Sequence, residues 1–240
     1  SHTLVLPNGA PAGAGYAKTG GGPAFMEYLT RELRPLIEHR YRTASPALLV
    51  GHSLGGLLTL DAVARDSGQF QGYIAIDASL WFDYPANYQR IERALLGPLK
   101  HPASLFVAVA NNPFTPGFGR SEFHRDQLRQ FARSLVAHPG HNLHVTSRYF
   151  EEEDHHSVYH LAVYQGLQQL FRGYRLDLTP GLFSRQAVIA RYQALNRRLG
   201  SQLRPQRESL QAIREKGERW PQMQISVAEV DALLERYYGQ

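Results

Sequence analysis

The stretch ALLVGHSLGGLLTLDAVAR, residues 47–65, sets an apolar run against a helix-like segment with a single serine at the junction. ALLVG (47–51) has the continuous apolar character of a strand buried on both faces, and LGGLLTLDAVAR (54–65) repeats its apolar residues at helical spacing. Between them Gly51-His52-Ser53-Leu54-Gly55 forms a G-x-S-x-G pattern. A serine presented at a sharp strand-to-helix turn has strained backbone angles, and side chains two residues away are expected to collide with the neighbouring strand and helix. Both glycines are therefore expected to be required. The helix that starts near Leu54 supplies N–H groups and positive potential where an oxyanion would develop, with the Leu54 N–H as first donor.

Working outward, apolar residues Phe25, Tyr28, Leu29, Leu33, Leu36 and Ile37 recur at spacings of three and four and predict an amphipathic helix upstream. Before it, Leu4-Val5-Leu6 is a short apolar piece that runs into a loop, PNGAPAGAGYAKTGGGP (7–23). Downstream, GYIAIDA (72–78), SLFVAVAN (104–111) and NLHVTSRYF (142–150) read as strands, with helices at RDQLRQFARSLVA (125–137) and VYHLAVYQGLQQLF (158–171). Strands alternating with crossover helices imply an α/β fold with a mostly parallel sheet covered on both faces. After Gly173 no further strand-like run occurs. Residues 187–200, 206–220 and 227–238 predict helices, the last with Ser226 as N-cap and Glu229 completing a capping box. The chain thus divides into an α/β domain, 1–173, and a helical C-terminal appendage, 174–240.

The 240 residues, 43% of them hydrophobic, suffice for one large domain or a domain with an appendage. Lys and Arg exceed Asp and Glu by 26 to 21, a net charge of +5, but the charges are interspersed and no run of five basic residues occurs, so no nucleic-acid partner is expected. Without cysteine there is no disulfide, thiolate nucleophile or zinc-thiolate site. No apolar run approaches the roughly 18 residues of a membrane span, so membrane insertion is not expected. The chain opens on Ser1 rather than Met, as expected of a processed, tagged or truncated start. The compartment is left open: periplasmic or extracellular if a signal peptide lies upstream, otherwise cytoplasmic.

A serine hydroxyl is a poor nucleophile near neutral pH and needs a histidine base, with a carboxylate to orient it, in the chain order serine, acid, histidine. Of 11 histidines, His155 and His156 lie in EEEDHHSVYHLAVYQGL, between the last strand and the helix after it. That loop belongs to the sheet's carboxyl edge, as Ser53 does. His52 precedes the nucleophile and lines the turn. His160 sits on the helix itself, and Asp154, next to His155, cannot easily orient its neighbour's ring.

GGPAFMEYLTRELRPLIEHRYR, LLVGHSLGGLLTL, GYIAIDASLWFD and EEDHHSVYHLAVYQGL, in this order over roughly residues 20–172, resemble the esterases related to esterase D and the siderophore esterases, within the α/β hydrolases. The resemblance implies an α/β-hydrolase-type sheet. It also implies that His155 is the base, by the D-H-x-S-V pattern, with His156 in the variable place. Ser79-Leu80-Trp81 is similar to a family segment beside the active site, which makes Trp81, with Phe82, a candidate substrate contact. The acid is expected after strand 104–111, where NNPFTPGFGRSEFHRD offers Glu122 and Asp126. Asp126 ranks first because its HRD setting resembles a basic-Asp motif in relatives, with a helix N-cap as its alternative role. Relatives carry an acid directly after this strand, where this chain has Asn111, Asn112 and Pro113, and some siderophore esterases are thought to use a Ser-His pair alone.

Relatives also carry several more strands before the nucleophile, and the loop after one of them supplies the second oxyanion donor. With about 45 residues there, this chain is expected to lack N-terminal strands, through truncation of a longer protein or loss of half its sheet. The expected activity is hydrolysis of carboxylic esters. Ser53 is the nucleophile, His155 the base, Asp126 or Glu122 the acid, Leu54 an oxyanion donor, and His52 and Trp81 the substrate contacts. No metal or organic cofactor is expected, the partner is a small-molecule ester, and the oligomeric state is open. The alternatives are acyl transfer to an alcohol and a non-catalytic binding module that keeps a relic elbow.

Overall fold

The computed structural model describes residues 19–113 and 122–239. The apolar piece Leu4-Val5-Leu6 and most of the glycine-rich stretch after it lie outside these. Four strands, β1 (Leu48–His52), β2 (Gly72–Ile76), β3 (Ala103–Ala110) and β4 (Leu143–Phe150), form one parallel sheet in the order β1-β2-β3-β4. Every residue of β2 and β3 is buried, which is why both read as unbroken apolar runs. β1 is more open, with Val50 39% exposed, and among the described residues no strand pairs with its outer edge.

Side chains alternate across the sheet. Tyr73, Ala75, Leu105, Val107 and Val109 face the crossover helices α3 (Leu54–Arg65), α4 (Ala86–Leu96) and α5 (Glu122–Ala137) through Leu60, Val63, Ile91, Leu95, Leu128, Phe131 and Leu135. Ile74 faces α6 (Val158–Leu170), where Gly166 lets the helix come so close that an added Cβ would sit 2.8 Å from the Ile74 Cδ1. Helix α4 is not among the elements expected from sequence. Its buried residues Tyr88, Ile91 and Leu95, spaced by three and four, carry the helical signal. The upstream helix is present as α1 (Gly22–Tyr28) and α2 (Arg34–Arg40), joined by a π-helical turn at Leu29–Leu33.

The chain divides into two compact units between Leu170 and Phe171, a few residues from the boundary drawn at 173. The second unit holds α7 (Arg185–Leu199), α8 (Arg207–Arg219) and α9 (Val227–Tyr238) around Phe183, Tyr192, Leu210, Ile213, Val230 and Leu233. Ser184 caps α7 by accepting from the Ala187 N–H, Gly200 ends it in the left-handed region, and the Ser226 hydroxyl accepts from the Glu229 N–H at the start of α9. Among the described residues no helix is long and apolar enough to cross a membrane.

The two glycines of the elbow differ in their physical reason. A Cβ on Gly51 would strike the Gly55 carbonyl and come within 2.5 Å of the Thr59 Oγ1, whereas one on Gly55 meets nothing within 4 Å. The expectation that both are sterically required is corrected. The second close approach is at Gly56, where a Cβ would lie 3.0 Å from Ala78 and the Ile76 carbonyl. Gly51→Ala is therefore expected to cost about 1–3 kcal/mol, because backbone cannot yield to it. Gly55→Ala is expected to stabilise by about 0.5–1 kcal/mol through helix propensity. Denaturant melts of the two variants check the contrast.

Candidate active site

Ser53 sits at φ 60°, ψ −120°, a conformation L residues avoid, and the surrounding hydrogen bonds hold it there. Its N–H donates to the Ile76 carbonyl, while its own carbonyl accepts from Leu57 and Ser79, each at 3.0 Å. The turn is thereby tied to the end of β2 and to the first turn of α3. As the first residue of α3, Leu54 has an N–H without an intrahelical acceptor, directed to the nucleophile end of the helix.

Because the strands are parallel, the residues that follow β1, β2, β3 and β4 gather at one edge of the sheet. There the His155 Nε2 lies 3.0 Å from the Ser53 Oγ, and its Nδ1 lies 2.6 Å from the Asp77 Oδ2. A carboxylate can only accept, so Nδ1 carries the hydrogen and Nε2 accepts from the Ser53 hydroxyl. The Ser79 hydroxyl, 3.2 Å from the Ser53 Oγ, donates to it in turn.

Asp77, the first residue past β2, is fully buried. Its Oδ1 accepts from the Ala110 N–H at 3.1 Å, and its Oδ2 accepts from the Asn112 amide at 2.9 Å and the His124 Nε2 at 3.0 Å besides His155. Burial by itself pushes this carboxyl up. The charge that His124 carries when protonated and its hydrogen bond, then the hydrogen bond of His155 and its charge when protonated, outweigh burial and hold it below the ordinary carboxylate range. The donor atoms of Asp77, His124 and His155 crowd within 4.8 Å of one another. Two ring N–H groups converging on one carboxylate oxygen account for that crowding.

The acids named from sequence stand elsewhere. Glu122 and Asp126, four residues apart, share the exposed face of α5, opposite the buried His124, Gln127, Leu128 and Phe131. Asp126 accepts from the Arg125 Nε at 2.8 Å; that hydrogen bond, against a smaller opposing effect of burial, lowers its carboxyl. It lies in the second turn of α5 and so is not an N-cap either. The structure brings neither residue to His155 and places Asp77 there instead. The signal for Asp77 is in GYIAIDA, an aspartate ending an apolar strand at the Ser53 edge of the sheet. It lies one strand earlier than the place where the acid is expected from sequence.

His52 donates from Nε2 to the His155 carbonyl at 2.7 Å, and its ring lies 4.4 Å from the His155 ring, centre to centre. Burial first, and the nearby His155 second, lower its pKa and keep it a neutral prop for the His155 loop. Its polar end is thus committed to the loop rather than turned toward a substrate. Trp81 is only 5% exposed and packs edge-on against Phe82, so burial removes it from the substrate contacts expected of it. His156 is exposed, its N–H held by Asp154. Asp154 also accepts from the Ser157 N–H, which with the His156 bond lowers its carboxyl.

With this geometry in place, residues 6–96 match the family described as "Putative esterase". The siderophore triacetylfusarinine C esterase of Aspergillus fumigatus is 37% identical over 81 residues, 33% of this chain and 27% of that protein. Ferri-bacillibactin esterase BesA of Bacillus subtilis is 25% identical over 126 residues, 52% of this chain and 42% of that protein. The chain thus spans less than half the length of these two curated relatives. The crystal structure of an IroE-like serine hydrolase from Shewanella oneidensis superposes with a TM-score of 0.86 at 36% identity, over 98% of this chain and 73% of that one.

Proposed function

Since the chain belongs to the Putative esterase family, among siderophore-esterase-like α/β hydrolases, we propose that it hydrolyses carboxylic esters through an acyl-enzyme on Ser53. The observation that carries this reading is the unbroken relay from the Ser53 Oγ to His155 to Asp77, at 3.0 and 2.6 Å. The Ser53 oxygen attacks the acyl carbon as the His155 Nε2 takes its proton, and the Leu54 N–H receives the developing oxyanion. Asp77 holds the Nδ1–H and stabilises the imidazolium. As the tetrahedral intermediate collapses, the C–O bond to the alcohol breaks and Nε2 returns the proton to that oxygen. Water then gives its proton to Nε2 and its oxygen to the acyl carbon, and Ser53 leaves with the proton restored.

A cavity of about 370 Å³ lined by Leu54, Leu57, Leu58, Phe82, Arg65 and Arg90 adjoins the elbow, with room for the non-reacting part of an ester. The siderophore esters for which two relatives are named are the first substrates to assay. The test of the reading is covalent labelling: a fluorophosphonate is expected to phosphonylate Ser53, located by peptide mass mapping, with loss of p-nitrophenyl ester hydrolysis in step. Labelling of another residue, or none, would point instead to a binding module.

A further inference from the structure

His124 is buried to 3% exposure, and its Nε2–H donates to the same Asp77 oxygen that receives His155. Its other ring nitrogen, Nδ1, is also buried and has no hydrogen-bond partner among the described residues. An orphaned buried acceptor is destabilising, and a phenylalanine would occupy similar space without one. Packing alone therefore gives no reason for an imidazole here. What the ring supplies is its other nitrogen. Four donors, Ala110 on Oδ1 and Asn112, His124 and His155 on Oδ2, leave the Asp77 carboxylate one orientation. The His124 and His155 rings meet nearly edge-on, at 81°, with both ring N–H groups reaching that one oxygen.

We propose that His124 is a positioning residue for the acid, its Nε2–H holding Asp77 in the orientation that accepts the His155 Nδ1–H. This rests on the reading of Ser53, His155 and Asp77 as the catalytic relay. His124 acts through Asp77 and touches no reacting atom. It shares the buried face of α5 with Gln127 and Leu128, on the face opposite Glu122 and Asp126. The side chain that serves the site and the two first sought for it thus lie on opposite sides of one helix.

The test compares His124→Gln, His124→Phe and His124→Asn in the full chain. The glutamine amide places a donor where Nε2 was, while the asparagine amide stops at the Nδ1 position and phenylalanine offers no donor. His124→Gln is expected to keep kcat within about 3-fold. The other two should lower kcat by about 10- to 100-fold, the scale of losing an outer partner of a functional group, with KM within about 2-fold. The downfield proton resonance of the His155–Asp77 hydrogen bond should persist in His124→Gln and shift or vanish in the other two. Asparagine keeps a polar side chain in case phenylalanine prevents folding. If the variants without a donor keep parental kcat and the parental resonance and lose only melting temperature, His124 is core packing and the proposal falls. If Ser53→Ala or His155→Ala retains activity, the relay reading itself falls and takes this inference with it.

Discussion

Ser53→Ala is expected to lower kcat for ester hydrolysis by on the order of 10⁶-fold, His155→Ala by about as much, and the double variant by no more than either. The two act as one unit. Without the Oγ there is nothing to acylate, and without the Nε2 its proton has no acceptor within 3.0 Å. His156→Ala, one residue along on an exposed ring, should keep near-parental kcat. Steady-state kinetics on a p-nitrophenyl ester, with thermal melts to show that each variant folds, decide it. Full activity in His155→Ala with loss in His156→Ala would move the base by one position, and additive single effects would break the relay.

Asp77→Asn is expected to lower kcat by up to about 10⁴-fold. Its Oδ1 accepts one N–H and its Oδ2 three, so an amide must turn its own NH₂ against donors whichever way it sits. With the NH₂ in the Oδ1 place His155 loses the negative charge that stabilises its imidazolium, and with the NH₂ in the Oδ2 place it must put its hydrogen on Nε2 and accept at Nδ1, a tautomer that cannot take the Ser53 proton. Asp126→Asn and Glu122→Gln, on the exposed face of α5, should stay within about 2-fold of the parent in rate. The variant should also change stability against pH. The Asp77 carboxyl titrates lower folded than unfolded, so the stability it confers is complete above the ordinary carboxylate range and fades as pH falls toward its folded value. Asp77→Asn should remove that part of the acid-side slope. Parental kcat in Asp77→Asn would leave a Ser-His pair in place of the relay.

The proposed nucleophile was legible because its signal is local, whereas the choice of His155 over its neighbour His156 as the proposed base came from the family resemblance. The strain at Ser53 and the glycine at position 51 belong to one turn between a strand and a helix, and a chain segment of that length carries its own geometry. Alternation of fully apolar strands with helices was equally direct, since β2 and β3 are buried on both faces and the sequence can satisfy that in few ways. Helix α4 was passed over because its apolar residues are few among polar ones, although their spacing is regular.

The amino-acid sequence by itself determined the parallel α/β layers, the strained turn that presents Ser53, and the loop that carries His155, because each follows from periodicity or from residues adjacent in the chain. Only the tertiary structure brings a carboxylate, that of Asp77, to His155. His155 meets Asp77 across 78 positions and Ser53 across 102, and that meeting depends on the β2–β3 register, which places the Ala110 N–H and Asn112 on the Asp77 carboxylate. It also depends on which face of α5 turns inward. The register and the helix rotation are set by burial of Tyr73, Leu105, Leu128 and Phe131 in a shared core, a condition on many distant residues at once that no short motif encodes.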